Sequence, residues 1–492
     1  MTPGIPSPPS AEPGGLRRRA IHGTMWFGGS RVFTQAIGWL ITLVVVRLLT
    51  PADYGLFGYA TLVAGFTDLV AELGLGAAIV QKRDLDETEI ESAFWLSMAT
   101  AATLYGVIWL FAPALSAFFN QPQLIDVLRV SMLTFVITSI RVISSNLLTK
   151  QVDFKRRAMG DMAGTLAGSF TTLALAYAGD GVWALVFGQL VRQSVVTLAF
   201  VAMWPWRPRG RFSREGARKV FGFGLRTSGG RIAWYLYSNA DYLVVGKFVG
   251  QQALGFYTLV YEFATLPAGR VTTVINEVAF PVYAQLQDRP EQFKRYFLTA
   301  VTLVSAITVP ALFGLLATAP LAVPVILTAK WLPIVEPLQI MSVVGMVLSV
   351  SSLIAPAVLA KGRPGLVLRF NLTCLAVMPA GFLIGSRFGL LGVCWAWLIL
   401  FPAVTMMWFS MTRSLIGYRW GELASALLPA SVSAVTMALA LALVRPATEF
   451  LPLGPVRLAV VVAAGAATYG LAMGIGFRGR VREMRAAIMN RG

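Results

Sequence analysis

The sequence predicts an all-α polytopic membrane protein: fourteen transmembrane helices, arranged as two pseudo-symmetric six-helix lobes plus two C-terminal helices. Three observations predict it. Of 492 residues, 56% are hydrophobic and only 13% charged, against roughly 25% charged in soluble domains. Apolar stretches of about 20 residues, enough to cross a bilayer, recur along the whole chain. The stretch GSRVFTQAIGWLITLVVVRLLTPADYGLF, Gly29 to Phe57, returns without a gap as GGRIAWYLYSNADYLVVGKFVGQQALGFY, Gly229 to Tyr257. Arg31 falls on Arg231, Arg47 on Lys247 and Gly55 on Gly255, so charges and glycines recur at the same offset as Leu and Val. Such an internal repeat is typical of transporters built from related halves.

The elements follow in order. Residues 1–22, rich in Pro, Gly and Ser, read as a disordered basic cytoplasmic tail. Arg17 to Arg19 look like a signal-peptide opening, but the apolar segment behind them is too long and lacks a cleavage site, so a retained helix is expected. Spans at 24–49, 54–80, 92–119, 125–148, 158–178 and 182–204 make an N-lobe over 23–204. A basic cytoplasmic linker over 205–219 leads to spans at 220–249, 253–280, 297–320, 333–360, 365–386 and 389–412, the C-lobe over 220–414. Residues 415–492 hold helices 13 and 14, at 423–444 and 455–477, and a basic cytoplasmic tail.

Charge placement tests this segmentation, because Lys and Arg accumulate in cytoplasmic loops. Of 41 Lys and Arg, 27 fall in one set of alternate connections and 6 in the other, which predicts that both termini are cytoplasmic. The net charge of +18 is thereby explained by topology, without a nucleic-acid partner. Trp204, Trp206, Trp331, Trp408 and Trp420 stand at predicted interfaces as anchors. Gly160, Gly164 and Gly168 form a small-residue stripe for close helix packing. Pro267, Pro310, Pro356, Pro379 and Pro402 lie inside spans and invite kinks.

The residue inventory excludes much chemistry. A lone histidine, His22, argues against His-based metal, triad and relay sites, and Cys374 and Cys394 lie in apolar segments as ordinary thiols. No cofactor or metal is indicated. What remains is a set of charges within spans, which are costly there and normally face a cavity or partner. Arg31, Arg141 and Arg192 in the first lobe, with Arg231 and Arg270 in the second, suit an anion such as a diphosphate, which guanidinium forks bind in bidentate fashion. Arg31 and Arg231 also lie close enough to the cytoplasmic surface to snorkel. Asp241, following Asn239 near the middle of its span, is a candidate proton or sodium site, with Glu262 as a lesser one.

The segments SRV at Ser30, LLTPADYGLF at Leu48, NADYLVVGKFVGQQALGFYTL at Asn239 and FPVYAQLQDRPEQFKRYF at Phe280 resemble the polysaccharide transporter family. It is part of the multidrug/oligosaccharidyl-lipid/polysaccharide flippase superfamily, and the likeness is greatest to exporters of the colanic-acid and teichuronic-acid type. The resemblance implies alternating access about a central cavity in the bacterial inner membrane. The implied substrate is undecaprenyl-diphosphate-linked oligosaccharide, with polysaccharide polymerase and export machinery as partners. From the related lipid II flippases it carries a diphosphate role to Arg31 and a sodium role to Asp241. Asn371 supplies an amide at the matching place on the eleventh helix, but no acid follows within the next turn. A drug/cation antiporter on the same fold and a membrane-embedded glycan polymerase or ligase are the rival readings. The first would need a more acidic lobe, the second a long catalytic loop.

Overall fold

The computed structural model describes residues 34–71, 87–150, 154–204, 206, 208, 210, 212–213, 232–448, 452 and 454–479. Arg31, Arg231, the tail over 1–22 and most of the linker over 205–219 lie outside the described residues. The described secondary structure is helical, with no strand among these residues. Nine of the described helices are long and apolar enough to cross a membrane. Their outward faces are apolar, with Leu198 69% and Leu443 78% exposed, as expected where lipid rather than water is the surrounding solvent. The chain is a multi-pass membrane protein.

Its contacts divide it into two compact units, Met1–Ile232 and Ala233–Gly492. The first contains α1 (Thr34–Leu48), α2 (Pro51–Ala71), α3 (Glu87–Phe119), α4 (Leu124–Ser131), α5 (Leu133–Lys150), α6 (Phe154–Ala178) and α7 (Val182–Met203). The TPAD turn between α1 and α2 is a reciprocal cap. Asp53 Oδ2 accepts the Thr50 N–H at 2.9 Å and its hydroxyl at 2.6 Å, and the Asp53 N–H donates to Thr50 Oγ1 at 3.2 Å. The glycine stripe of α6 packs on α7 as expected. A Cβ on Gly164 would stand 2.2 Å from Val196 Cγ2 and 2.8 Å from the Arg192 carbonyl oxygen, so only glycine permits this approach.

The second unit begins inside a helical stretch over 232–238, followed by α8 (Ala240–Val244) and a π turn over Val245–Val249. It continues through α9 (Gln251–Gln285), α10 (Pro290–Ile326), a 3₁₀ turn (Ala329–Ile334), α11 (Val335–Ser351), α12 (Ile354–Ala360), α13 (Pro364–Ser386), α14 (Gly389–Ile416), α15 (Trp420–Ala447) and α16 (Pro455–Gly476). The last two helices pack on α10, where Leu321 meets Met437, Leu441 and Val461, and Val309 meets Ala430 and Ala434. At the start of α10, Lys294 bridges Glu291 at 2.9 Å and Glu422 of α15 at 3.3 Å.

Prolines organise this unit. A proline inside a helix leaves the carbonyl four residues earlier without its N–H donor, and in a membrane that carbonyl needs another. Three neighbours supply one. Opposite Pro310, the Tyr469 hydroxyl donates to the Ala306 carbonyl at 2.8 Å; opposite Pro320, Gln339 Nε2 donates to the Leu316 carbonyl at 2.9 Å. Opposite Pro356, Asn276 Nδ2 reaches the Ser352 carbonyl at 3.5 Å, beside the break between α11 and α12. The span expected over 333–360 is therefore two α-helices after a 3₁₀ turn.

The tryptophan expectation needs correction. Trp331 and Trp408 are fully buried, Trp408 stacked on Phe370 with ring centroids 4.7 Å apart. Trp206 packs on Phe94 at 5.4 Å. Trp331 and Trp408 fill protein interiors, whereas Trp206 is only partly buried and Trp420 is 38% exposed; an interfacial position in sequence does not reveal which way an indole turns.

Candidate functional site

The candidate site is built around a buried carboxylate, Asp241, in the second unit. The seventh span does not run through as one α-helix: the stretch over 232–238 ends at Asn239, whose φ of −124° and ψ of 6° leave helical geometry. Asn239 covers part of the break itself, its Nδ2 donating to the Tyr235 carbonyl at 3.0 Å. Asp241 lies in the first turn of α8, and the π turn follows within a few residues, so irregular backbone flanks the acid on both sides. Broken helices of this kind bring polar groups to the membrane midplane in transporters.

Asp241 is wholly buried, and its hydrogen bonds come from three donors. The Tyr242 backbone N–H donates to Oδ1 at 2.8 Å. The Tyr257 hydroxyl of α9 donates to Oδ2, as does Trp397 Nε1 of α14 at 3.0 Å. The indole nitrogen also lies 2.9 Å from the Tyr257 oxygen, so one N–H is shared between the two acceptors. Aromatic rings close the shell: Tyr261 lies 5.9 Å from Tyr257, and Phe382 and Phe401 each lie 5.2 Å from Trp397. These hydrogen bonds join three helices at one point.

The other predicted site residues are distributed more widely. Arg141 on α5 donates to Gln193 Oε1 on α7 at 2.9 Å and faces the Phe200 ring at 5.9 Å. Asp161 of α6 and Arg192, next to Gln193, both interact electrostatically with Arg141, the acid more strongly. Glu262 and Arg270 share α9 and interact electrostatically. Asn371 is buried on α13, which packs against α8, but it is not among the donors to Asp241. No cluster of three or more metal-ligating side chains occurs among the described residues.

Sequence reasoning found Asp241 and missed Tyr257 and Trp397. A signal for Tyr257 existed. At the repeat's offset Asp241 corresponds to Ile41 and Tyr257 to Phe57, so the acid and the hydroxyl that binds it both occupy places held by apolar residues in the first copy. Trp397 carried no such signal, being one more aromatic in an apolar helix.

Comparison with known proteins places the chain in a family and a fold. The model of a family described as polysaccharide biosynthesis protein matches residues 44–336. Lipopolysaccharide biosynthesis protein WzxC of Escherichia coli K12 is 26% identical over 433 residues, covering 87% of this chain and 88% of that protein. Teichuronic acid biosynthesis protein TuaB of Bacillus subtilis 168 is 25% identical over 470 residues, covering 92% and 95%. Among solved structures, the lipid II flippase MurJ in an inward closed conformation matches with a TM-score of 0.75 at 13% identity, covering 93% of this chain and all of that one. At that identity the likeness is one of fold.

Proposed function

The chain belongs to the polysaccharide biosynthesis protein family, and from that premise we propose that it flips undecaprenyl-diphosphate-linked oligosaccharide across the cytoplasmic membrane for polysaccharide export. The supporting observation is the agreement of family with fold: a chain related to polysaccharide-biosynthesis proteins has the fold of a lipid II flippase over 93% of its length. The mechanism is secondary transport, without making or breaking a covalent bond. Fourteen helices form two six-helix lobes and an appended pair, with both termini cytoplasmic. The lobes alternate access to the two sides. The diphosphate docks on basic residues drawn from Arg31, Arg231, Arg270, Arg141 and Arg192, whose forks match phosphate oxygens, while the lipid tail remains in the bilayer. Asp241, with Asn239 beside it, couples the cycle to an ion gradient, proton or sodium, with Asn371 and Glu262 as lesser candidates. The polymerase and export machinery act on the product.

The test is reconstitution in liposomes with a fluorescent undecaprenyl-diphosphate oligosaccharide, following leaflet exchange with and without ion gradients. Exchange that requires the protein and falls in Arg31→Ala and Arg231→Ala is the expected result. Passage of an amphiphilic cation without lipid exchange would replace this reading with a drug antiporter.

A further inference from the structure

The three donors at Asp241 bear on which ion the site takes. We propose that Tyr257 and Trp397 make Asp241 a proton site that excludes sodium, an inference that rests on the reading of Asp241 as the coupling residue. A bound cation needs several oxygen lone pairs aimed at one point. Around Oδ2 the groups aimed inward are an O–H and an N–H. The phenol can rotate its hydrogen away and offer a lone pair; the indole cannot, because its nitrogen is a donor only. The ring is also held in place: Trp397 is 2% exposed and contacts Phe382 and Phe401, and a close-packed interior resists moving a side chain of that size.

A proton fits the same atoms without displacing any of them. In the charged state Tyr257 and Trp397 both donate to Oδ2. When a proton binds Oδ2, the new carboxylic O–H donates to the Tyr257 oxygen, and the phenol hydrogen turns away from Asp241. The indole N–H still has an acceptor in either state, the carboxyl or the Tyr257 oxygen 2.9 Å away. One proton arrives, one O–H bond forms and nothing else leaves. The heavy atoms serve both states, as a reversible proton site requires.

The surrounding titratable groups are consistent with this. Those that interact with Asp241 are Tyr242 on its own helix, Tyr257 and Tyr261 from α9, and Cys394 from α14. Glu262 of α9 interacts with Tyr242, Glu336 of α11 with Cys394, and Cys374 of α13 with Tyr237. Lys247 lies on the π turn beyond. Asp241 therefore relies on hydrogen bonds for its charge, and taking up one proton neutralises it.

Two measurements on the full-length protein test the proposal. Infrared difference spectroscopy in detergent would follow a protonated-carboxyl band, assigned to Asp241 by its loss in Asp241→Asn, against pH with sodium or choline as the only cation. The expected result is a band titrated by pH alike in both salts. Trp397→Phe and Tyr257→Phe, which keep the ring and remove the donor, should move its midpoint to higher pH by about one to two units, the size of one hydrogen bond to a charged group. A wild-type band removed by sodium, or a midpoint unmoved in both variants, would overturn the proposal. Leaflet exchange in proteoliposomes then separates the two readings. If lipid exchange follows a sodium gradient alone, the proton site fails and the flippase reading stands. If no lipid is exchanged but the band behaves as expected, the proton site stands and the flippase reading fails.

Discussion

Tyr469→Phe removes one hydroxyl, and the structure says what it costs. That hydroxyl donates at 2.8 Å to the Ala306 carbonyl, which lost its backbone donor because residue 310 is proline. Removing it exchanges a hydrogen bond of about 0.5–1.5 kcal/mol for an acceptor with no donor in an apolar phase, a loss of about 1 kcal/mol or more. The decisive comparison is with Pro310→Ala, which returns a backbone N–H to that carbonyl. In that background Tyr469→Phe should cost almost nothing. The double-mutant cycle should therefore give a coupling of about 1 kcal/mol, above the roughly 0.3–0.5 kcal/mol scatter of independent sites. Unfolding by SDS titration in mixed micelles, followed by circular dichroism, measures all four proteins. Additive costs would refute the assignment of Tyr469 as the replacement donor for Pro310.

Three further outcomes follow from the packing. Gly164→Ala should destabilise by about 1–3 kcal/mol, because its Cβ meets the Arg192 backbone carbonyl. Gly106→Ala, with nothing within 4 Å, should be neutral or gain up to about 1 kcal/mol from helix propensity; the same unfolding assay separates them. Asp53→Ala breaks the reciprocal cap at the start of α2 and should cost about 1 kcal/mol, while Asp53→Asn, which keeps an acceptor oxygen, should recover most of it. Trp408→Ala empties a buried, stacked site and should cost about 3–5 kcal/mol, read as a large drop in the thermal inactivation midpoint in detergent; a surface anchor would show a small one.

The class of protein, the spans that the described helices follow and the acid worth attention were all legible in the residues. Each is a property of composition along the chain: a bilayer requires long apolar helices whatever their partners, and a carboxylate is costly in any apolar segment. The glycine stripe was legible for the same reason, since small residues at helical spacing have few uses other than close approach. Which groups meet was settled by packing. Tyr257 lies 16 residues from Asp241 and Trp397 lies 156 residues from it, and no local pattern makes one indole of an apolar helix the donor to a distant carboxylate. The same holds for Tyr469, Gln339 and Asn276. Each replaces a backbone donor removed by a proline on a different helix, and a hydrogen bond is fixed by ångström-scale position, which arises only when the helices have packed.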